Sequence, residues 1–226
     1  MFKRNEQREF TAKAFERVVN FSDSVIAIAM TVLIFPLTNL VTSATGETWW
    51  RIFTDNFSKF LATLISFVVI ALFWHAHHRS FDRLERADNM IIFWNVVFLF
   101  TIVIMPLANV ILMLPGETTD RTVLLIYIGN MILSLFALAM IDEHGRSRTY
   151  LLAESVRDEP ISHVEIWTFS VVLLVAFAIA MIWPNLGTIP LILLCFNSLW
   201  ISAAQKFFRQ KKTQAQQPHF DDPHFM

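Results

Sequence analysis

An all-α membrane protein with six transmembrane helices is the fold class this 226-residue sequence predicts, and three observations carry it. Hydrophobic residues make up 55% and charged residues only 16%, whereas a soluble domain runs about 45–50% apolar and about 25% charged. The charges are segregated: Asp23 stands alone between Arg17 and Glu47, and none occurs over 89–115, 122–141 or 166–205. Finally, Lys and Arg collect on alternate connections between the apolar runs, as the positive-inside rule requires.

A spanning helix needs about 20 mostly apolar residues, which places the segments near 18–40, 57–79, 89–114, 121–141, 163–184 and 187–208. The first begins RVVNFSDSVIAIAM and carries Pro36 late, where a kink or frayed end is expected. The second ends in FWHAHHRSFDRLER, and the third opens after Asp88 and carries Pro106 late. The fourth follows Arg121. The charge-free run 166–205 is too long for one span, and WPNLGTIP at 183–190 breaks it into the fifth and sixth.

Counting six spans with both ends in the cytoplasm leaves only Arg51, Lys59 and Arg121, among all Lys and Arg residues, on the outer side. The organisation expected is a cytoplasmic arm over 1–17, a six-helix domain over 18–208 and a polar, disordered cytoplasmic tail over 209–226. The first segment is read as a retained span: acidic residues mix with the basic ones before it, and no small-residue cleavage site follows at Pro36 or Leu37. A multi-pass protein of the cell membrane follows, with lipids as its surroundings.

Other function classes are disfavoured. A net charge of −1 argues against nucleic acid. The only cysteine, Cys195, allows no intramolecular disulfide and is read as a small hydrophobe. His75, His77 and His78 cluster, but His144, His163, His219 and His224 are scattered, and a metal site needs three or four convergent ligands. The repeated PHF of the tail is read as solvated. No enzyme chemistry, metal or organic cofactor is expected.

An ionisable residue in a span is expensive and therefore a candidate for function. Asp23 sits off the stripe formed at 100° per residue by Ser24, Ile28, Thr31 and Phe35, and so is expected to face a neighbouring helix. Arg17, six residues earlier, is no standard helical neighbour. A histidine of the cluster and Asn95 could meet Asp23 or Ser22 if the first three helices pack together. The stripe itself reads either as a packing surface or, repeated around an axis, as a pore wall. In the second case Thr31 hydroxyls replace part of an ion's hydration and Ile28 rings close the pore by dewetting.

The pattern Arg-x-x-x-Phe-Ser-Asp at Arg17 to Asp23 resembles the signature of the lysosomal potassium channel (transmembrane protein 175) family in its prokaryotic single-repeat form. FWHAHH, Asp88, the pair Trp94–Asn95 and Pro106 support the resemblance; spans four to six match in hydropathy alone. The resemblance implies a homotetrameric, potassium-permeable channel whose first helix lines the pore, with potassium as the permeant ion. It implies a constriction at Ile28, narrowed further by Val32 and Phe35, and selectivity at Thr31. Ala27 stands where some relatives carry a serine, so one hydroxyl layer is missing. Arg17, Phe21, Ser22 and Asp23 are implied to lock helices one to three together, with partners among His77 and Asn95. The rival expectation is a proton-coupled secondary transporter using Asp23 and a second-span histidine.

Overall fold

A computed structural model of the chain describes residues 12–44, 46–112, 121–154, 164–183, 189–196 and 202. The described residues form helices α1 (Ala12–Val32), α2 (Phe35–Ser43), α3 (Trp49–Asp55), α4 (Phe57–Asp82), α5 (Asn89–Leu112), α6 (Arg121–Ser147) and α7 (Val164–Ile182). Short 3₁₀ segments cover Thr149–Leu151 and Ile189–Phe196. Among the described residues, four stretches are long and apolar enough to cross a membrane: Lys13–Ser43, Phe57–Asp82, Asn89–Ile111 and Leu125–Ser147. They coincide with the first four expected spans, and α7 with the fifth. Most of the expected sixth span, the N-terminal arm up to residue 11 and the tail lie outside the described residues.

The first span is not one straight helix. It breaks at Leu33–Ile34, and α2 restarts with Pro36 in its opening turn and Ile34 as its cap. Pro36 has no N–H to offer the carbonyl four residues earlier, while at a helix start that missing donor costs nothing. Amides of Leu37 and Thr38 donate to the Ile34 carbonyl at 3.0 and 3.1 Å and rebuild the ladder. Pro106, by contrast, lies inside α5, which continues to Leu112.

α1 packs on α4 and α5, α5 runs along α6, and α4 touches all three. The face α1 turns inward carries Phe15, Ser22, Ile26 and Ala29, spaced three, four or seven apart as one helical stripe demands, and Leu33 at the break and Leu37 of α2 carry the buried face on. It meets a core that includes Ile70, Phe73, Ile91, Phe98, Ile102 and Met105. Buried polar groups join the helices at two further levels. Ser66 hydrogen-bonds Asn109 Oδ1 (3.0 Å) and the Tyr127 hydroxyl (2.8 Å), and Asn109 Nδ2 donates to Thr63 (3.3 Å). Ser134 donates to Thr101 Oγ1 at 2.7 Å, while Asn130 Nδ2 donates to the Thr101 carbonyl at 2.9 Å.

The turn between α4 and α5 is tied to the segment after α6. Leu84 and Leu152 form an isolated antiparallel bridge, with the Glu85 amide donating to Leu151 O (2.9 Å) and the Ala153 amide to Arg83 O (3.0 Å). Gly145 permits this approach, since a Cβ there would lie 2.8 Å from Leu84 Cδ2. Asp88, fully buried, caps α5: its Oδ1 accepts the amides of Met90 and Ile91 at 3.0 Å each. Its Oδ2 lies 2.7 Å from His144 Nε2. Burial alone pushes the Asp88 carboxyl up, but the bond from His144, the Ile91 and Met90 amides and the His144 charge outweigh it. The carboxyl is held below its ordinary value.

Candidate pore helix and its buried polar anchor

α1 divides its residues between two tasks. On the inward side, the Ser22 hydroxyl donates to the Val18 carbonyl at 2.9 Å. That orients its lone pairs outward to accept Asn95 Nδ2 from α5, also at 2.9 Å. Asn95 Oδ1 is then left to accept from His77 Nε2 of α4 at 2.9 Å, so the ring proton sits on Nε2. The His77 ring stacks between Phe81 (centroids 4.3 Å apart) and Phe98 (5.1 Å). Among the described residues its Nδ1 has no hydrogen-bond partner. One residue from each of three helices is thus joined in a single buried chain ending at the α1 backbone, with Ser22 and His77 wholly out of solvent.

Asp23 follows a different course. It is half-buried and accepts a hydrogen bond from Trp74 Nε1 at 2.9 Å. Its partner is therefore an indole of α4, which the sequence reading passed over although Trp74 lies in FWHAHH. An indole N–H is a donor only, so a carboxylate is its natural partner. Trp74 stacks on His78 (5.8 Å), whose Nε2 stands 3.5 Å from Asp82. The three histidines of the cluster diverge: His77 is buried, His78 is half-buried and His75 is exposed. Arg17 and Phe21 stay outside the buried chain, both exposed, and Arg17 makes no hydrogen bond or ion pair among the described residues. Phe21 is rotated about 100° from Ser22 on the helix, which turns it away from α5.

The outward side of α1 carries the predicted stripe. Ser24 and Thr31 are exposed, with Ile28 62% and Phe35 60% exposed. Val32 is half-buried and ends α1, just before the break. The Thr31 hydroxyl donates to the Ile28 carbonyl at 2.7 Å and the Ser24 hydroxyl to the Asn20 carbonyl at 2.7 Å. Each proton is directed back at the helix, so each oxygen presents lone pairs outward, the polarity a cation requires. Ala27 is exposed between them and supplies no hydroxyl. Among the described residues no group of three or more His, Cys, Asp or Glu could hold a metal ion.

Residues 17–106, from Arg17 of α1 to Pro106 of α5, match the family model described as the endosomal/lysosomal potassium channel TMEM175. This segment is similar to the TMEM175 family. A potassium channel of Chryseobacterium sp. (strain P1-3) is 29% identical over 93 residues, 41% of this chain and 46% of that protein. A potassium channel of Chamaesiphon minutus is 28% identical over 178 residues, 76% of this chain and 87% of that protein. The chain's match spans less than half the length of the Chryseobacterium relative. The crystal structure of a lysosomal potassium-selective channel TMEM175 homolog from Chamaesiphon minutus superposes with a TM-score of 0.63 at 21% identity, over 83% of this chain and 97% of that one. The helical fold is therefore shared with a TMEM175 structure. The matched residues 17–106 include Ser22, Asp23, Trp74, His77 and Asn95, whereas Tyr127 and His144 lie beyond them.

Proposed function

We propose that the chain is one subunit of a potassium-permeable cation channel, a homotetramer of six-span subunits that conducts passively down the electrochemical gradient. In this reading α1 lines the central pore. Ile28 forms the hydrophobic constriction, with Val32 and Phe35 narrowing the path beyond it, and Thr31 offers hydroxyl oxygens to a partly dehydrated potassium ion. Ser22, His77 and Asn95, with Asp23 held by Trp74, position the pore helix; Arg17 and Phe21 flank this anchor at the start of the span. Both ends of the chain lie in the cytoplasm of the cell that carries the channel in its membrane.

The observation that carries this reading is the two-sidedness of α1. Its inward stripe is held by core contacts and a three-helix polar chain, while Ser24, Ile28 and Thr31 on the other side stay uncovered within one subunit. Such a surface is completed by copies of itself around an axis, and cyclic symmetry closes the ring. The names of the relatives support potassium as the permeant ion.

A flux assay on the full chain reconstituted in lipid vesicles tests the proposal. Potassium should cross in the absence of a proton gradient, faster than sodium. Cation movement only when protons move in the opposite direction contradicts the channel and supports a proton-coupled transporter.

A further inference from the structure

The connection between the first span and α4 holds a feature that ion conduction does not use. α3 is only seven residues long, yet its chemistry is fully sorted around its axis. At about 100° per residue, Ile52, Trp49, Phe53 and Trp50 occupy one side and Thr54, Arg51 and Asp55 the other. Ile52, at one edge of the apolar side, is buried against the protein, while Trp50, at the other edge, is 71% exposed and Trp49 is 58% exposed. On the polar side Arg51 Nε stands 3.6 Å from Asp55 Oδ2, both well exposed.

The exposed aromatic side is not loose. Trp49 meets Phe60 edge-on at 5.9 Å, Phe53 lies 5.2 Å from Phe60 and 5.6 Å from Phe57, and Trp50 leans on Phe53 at 6.1 Å. Phe57 and Phe60 belong to the first turn of α4, so the cluster fixes α3 at the entry of a membrane span. Asn56 separates the helices with φ −120° and ψ 20°, and its Nδ2 donates to Ile52 O at 3.0 Å. The chain therefore stops being one helix where the apolar span begins. Neither indole N–H of Trp49 or Trp50 has a partner among the described residues.

We propose that α3 is an interfacial anchor, with Trp49 and Trp50 seated among the phospholipids at the headgroup–acyl boundary of the leaflet that receives the start of α4. Deep hydrocarbon would leave the indole N–H groups and the Arg51–Asp55 pair unsolvated; bulk water would leave two exposed tryptophans solvated at a cost. The boundary meets both needs. Indoles prefer that depth because an apolar ring and a polar N–H are both accommodated, and a helix with one aromatic and one charged side lies in that plane. Lys59, half-buried in the first turn of α4, can run its stem along the span and raise its ammonium to the same level. Through Asn56 on one side and the short connection to α2 on the other, the anchor holds the far end of the first span at a fixed depth.

Because Cys195 is the sole cysteine, Cys195→Ala provides a background for a nitroxide spin label at Trp50→Cys and, separately, at Asp55→Cys. The full-length protein is studied in vesicles of phosphatidylcholine and phosphatidylglycerol. The label at position 50 should collide several-fold more with lipid-soluble oxygen than with a water-soluble nickel chelate, and the label at 55 should show the reverse. Equal nickel access at both positions overturns the anchor. So does protection of position 50 from both reagents, the result expected if a second copy of the chain covers that face. A second measurement needs no labelling: the fluorescence lost in a Trp49→Phe, Trp50→Phe double variant should be the part quenched most by lipids brominated close to the glycerol. Absence of quenching by any brominated lipid overturns the proposal.

Discussion

Asn95 of α5 donates from Nδ2 to the hydroxyl of Ser22 in α1 at 2.9 Å, across 73 positions of sequence. Because Ser22 spends its own proton on the Val18 carbonyl, this bond has a fixed direction. It passes that direction to His77, which must donate to Asn95 Oδ1. Three spanning helices are joined by one side-chain amide, placed where apolar packing alone would not set the rotation of α1.

Asn95→Leu removes both of its bonds at once and leaves the buried His77 Nε2–H without an acceptor and the buried Ser22 oxygen without a donor, its own bond to the Val18 carbonyl remaining. The expected loss is about 1–2 kcal/mol of stability, read as an earlier thermal transition in detergent micelles. Ser22→Ala leaves the His77–Asn95 bond intact and should cost less. Equal melting of Asn95→Leu and wild type shows that the amide is not an interhelical tie.

Asp88 makes the stability of the α4–α5 turn depend on pH in a defined direction. Its carboxyl is held below the ordinary value of 3.8 in the folded chain, so its contribution is complete above that value. It is lost as pH falls through the lower folded value. Between neutrality and pH of about 5 this group should produce no change; further acidification should lower the melting temperature of wild type more than that of Asp88→Asn. Parallel acid curves for the two proteins contradict the assignment.

How far these features could be read in advance depended on how local they are. The stripe Ser24–Ile28–Thr31–Phe35 follows from helical geometry alone, and it is the exposed side of the first span. Four spans were visible because a continuous apolar run has few alternatives to crossing a membrane. The break at Leu33–Ile34 was less visible, because a proline marks a disturbance without saying that the helix will restart around it. The partners of polar residues were hardest. Asp23 takes Trp74 and Asp88 takes His144, 51 and 56 positions away, and Ser66 meets Tyr127 at a distance of 61 positions. Each pairing depends on which helices neighbour one another and at what height, which hydropathy does not encode.

Thr31→Ala removes the hydroxyl whose lone pairs face away from the helix, leaving the Ile28 carbonyl in its ladder. If Thr31 coordinates the permeant ion, the potassium-to-sodium flux ratio in vesicles should fall in the variant while total flux persists. An unchanged ratio removes Thr31 from selectivity.

Ile28, at the centre of the uncovered side of α1, is the position that tests most directly whether that side is the wall that ions pass. Replacing it with asparagine puts an amide where a side chain 62% exposed in the single subunit would close the pore by excluding water. Potassium current through Ile28→Asn channels in planar bilayers should exceed that of wild type at the same voltage. A current equal to or below wild type from well-folded protein would contradict the constriction, and with it the assignment of α1 as the pore helix.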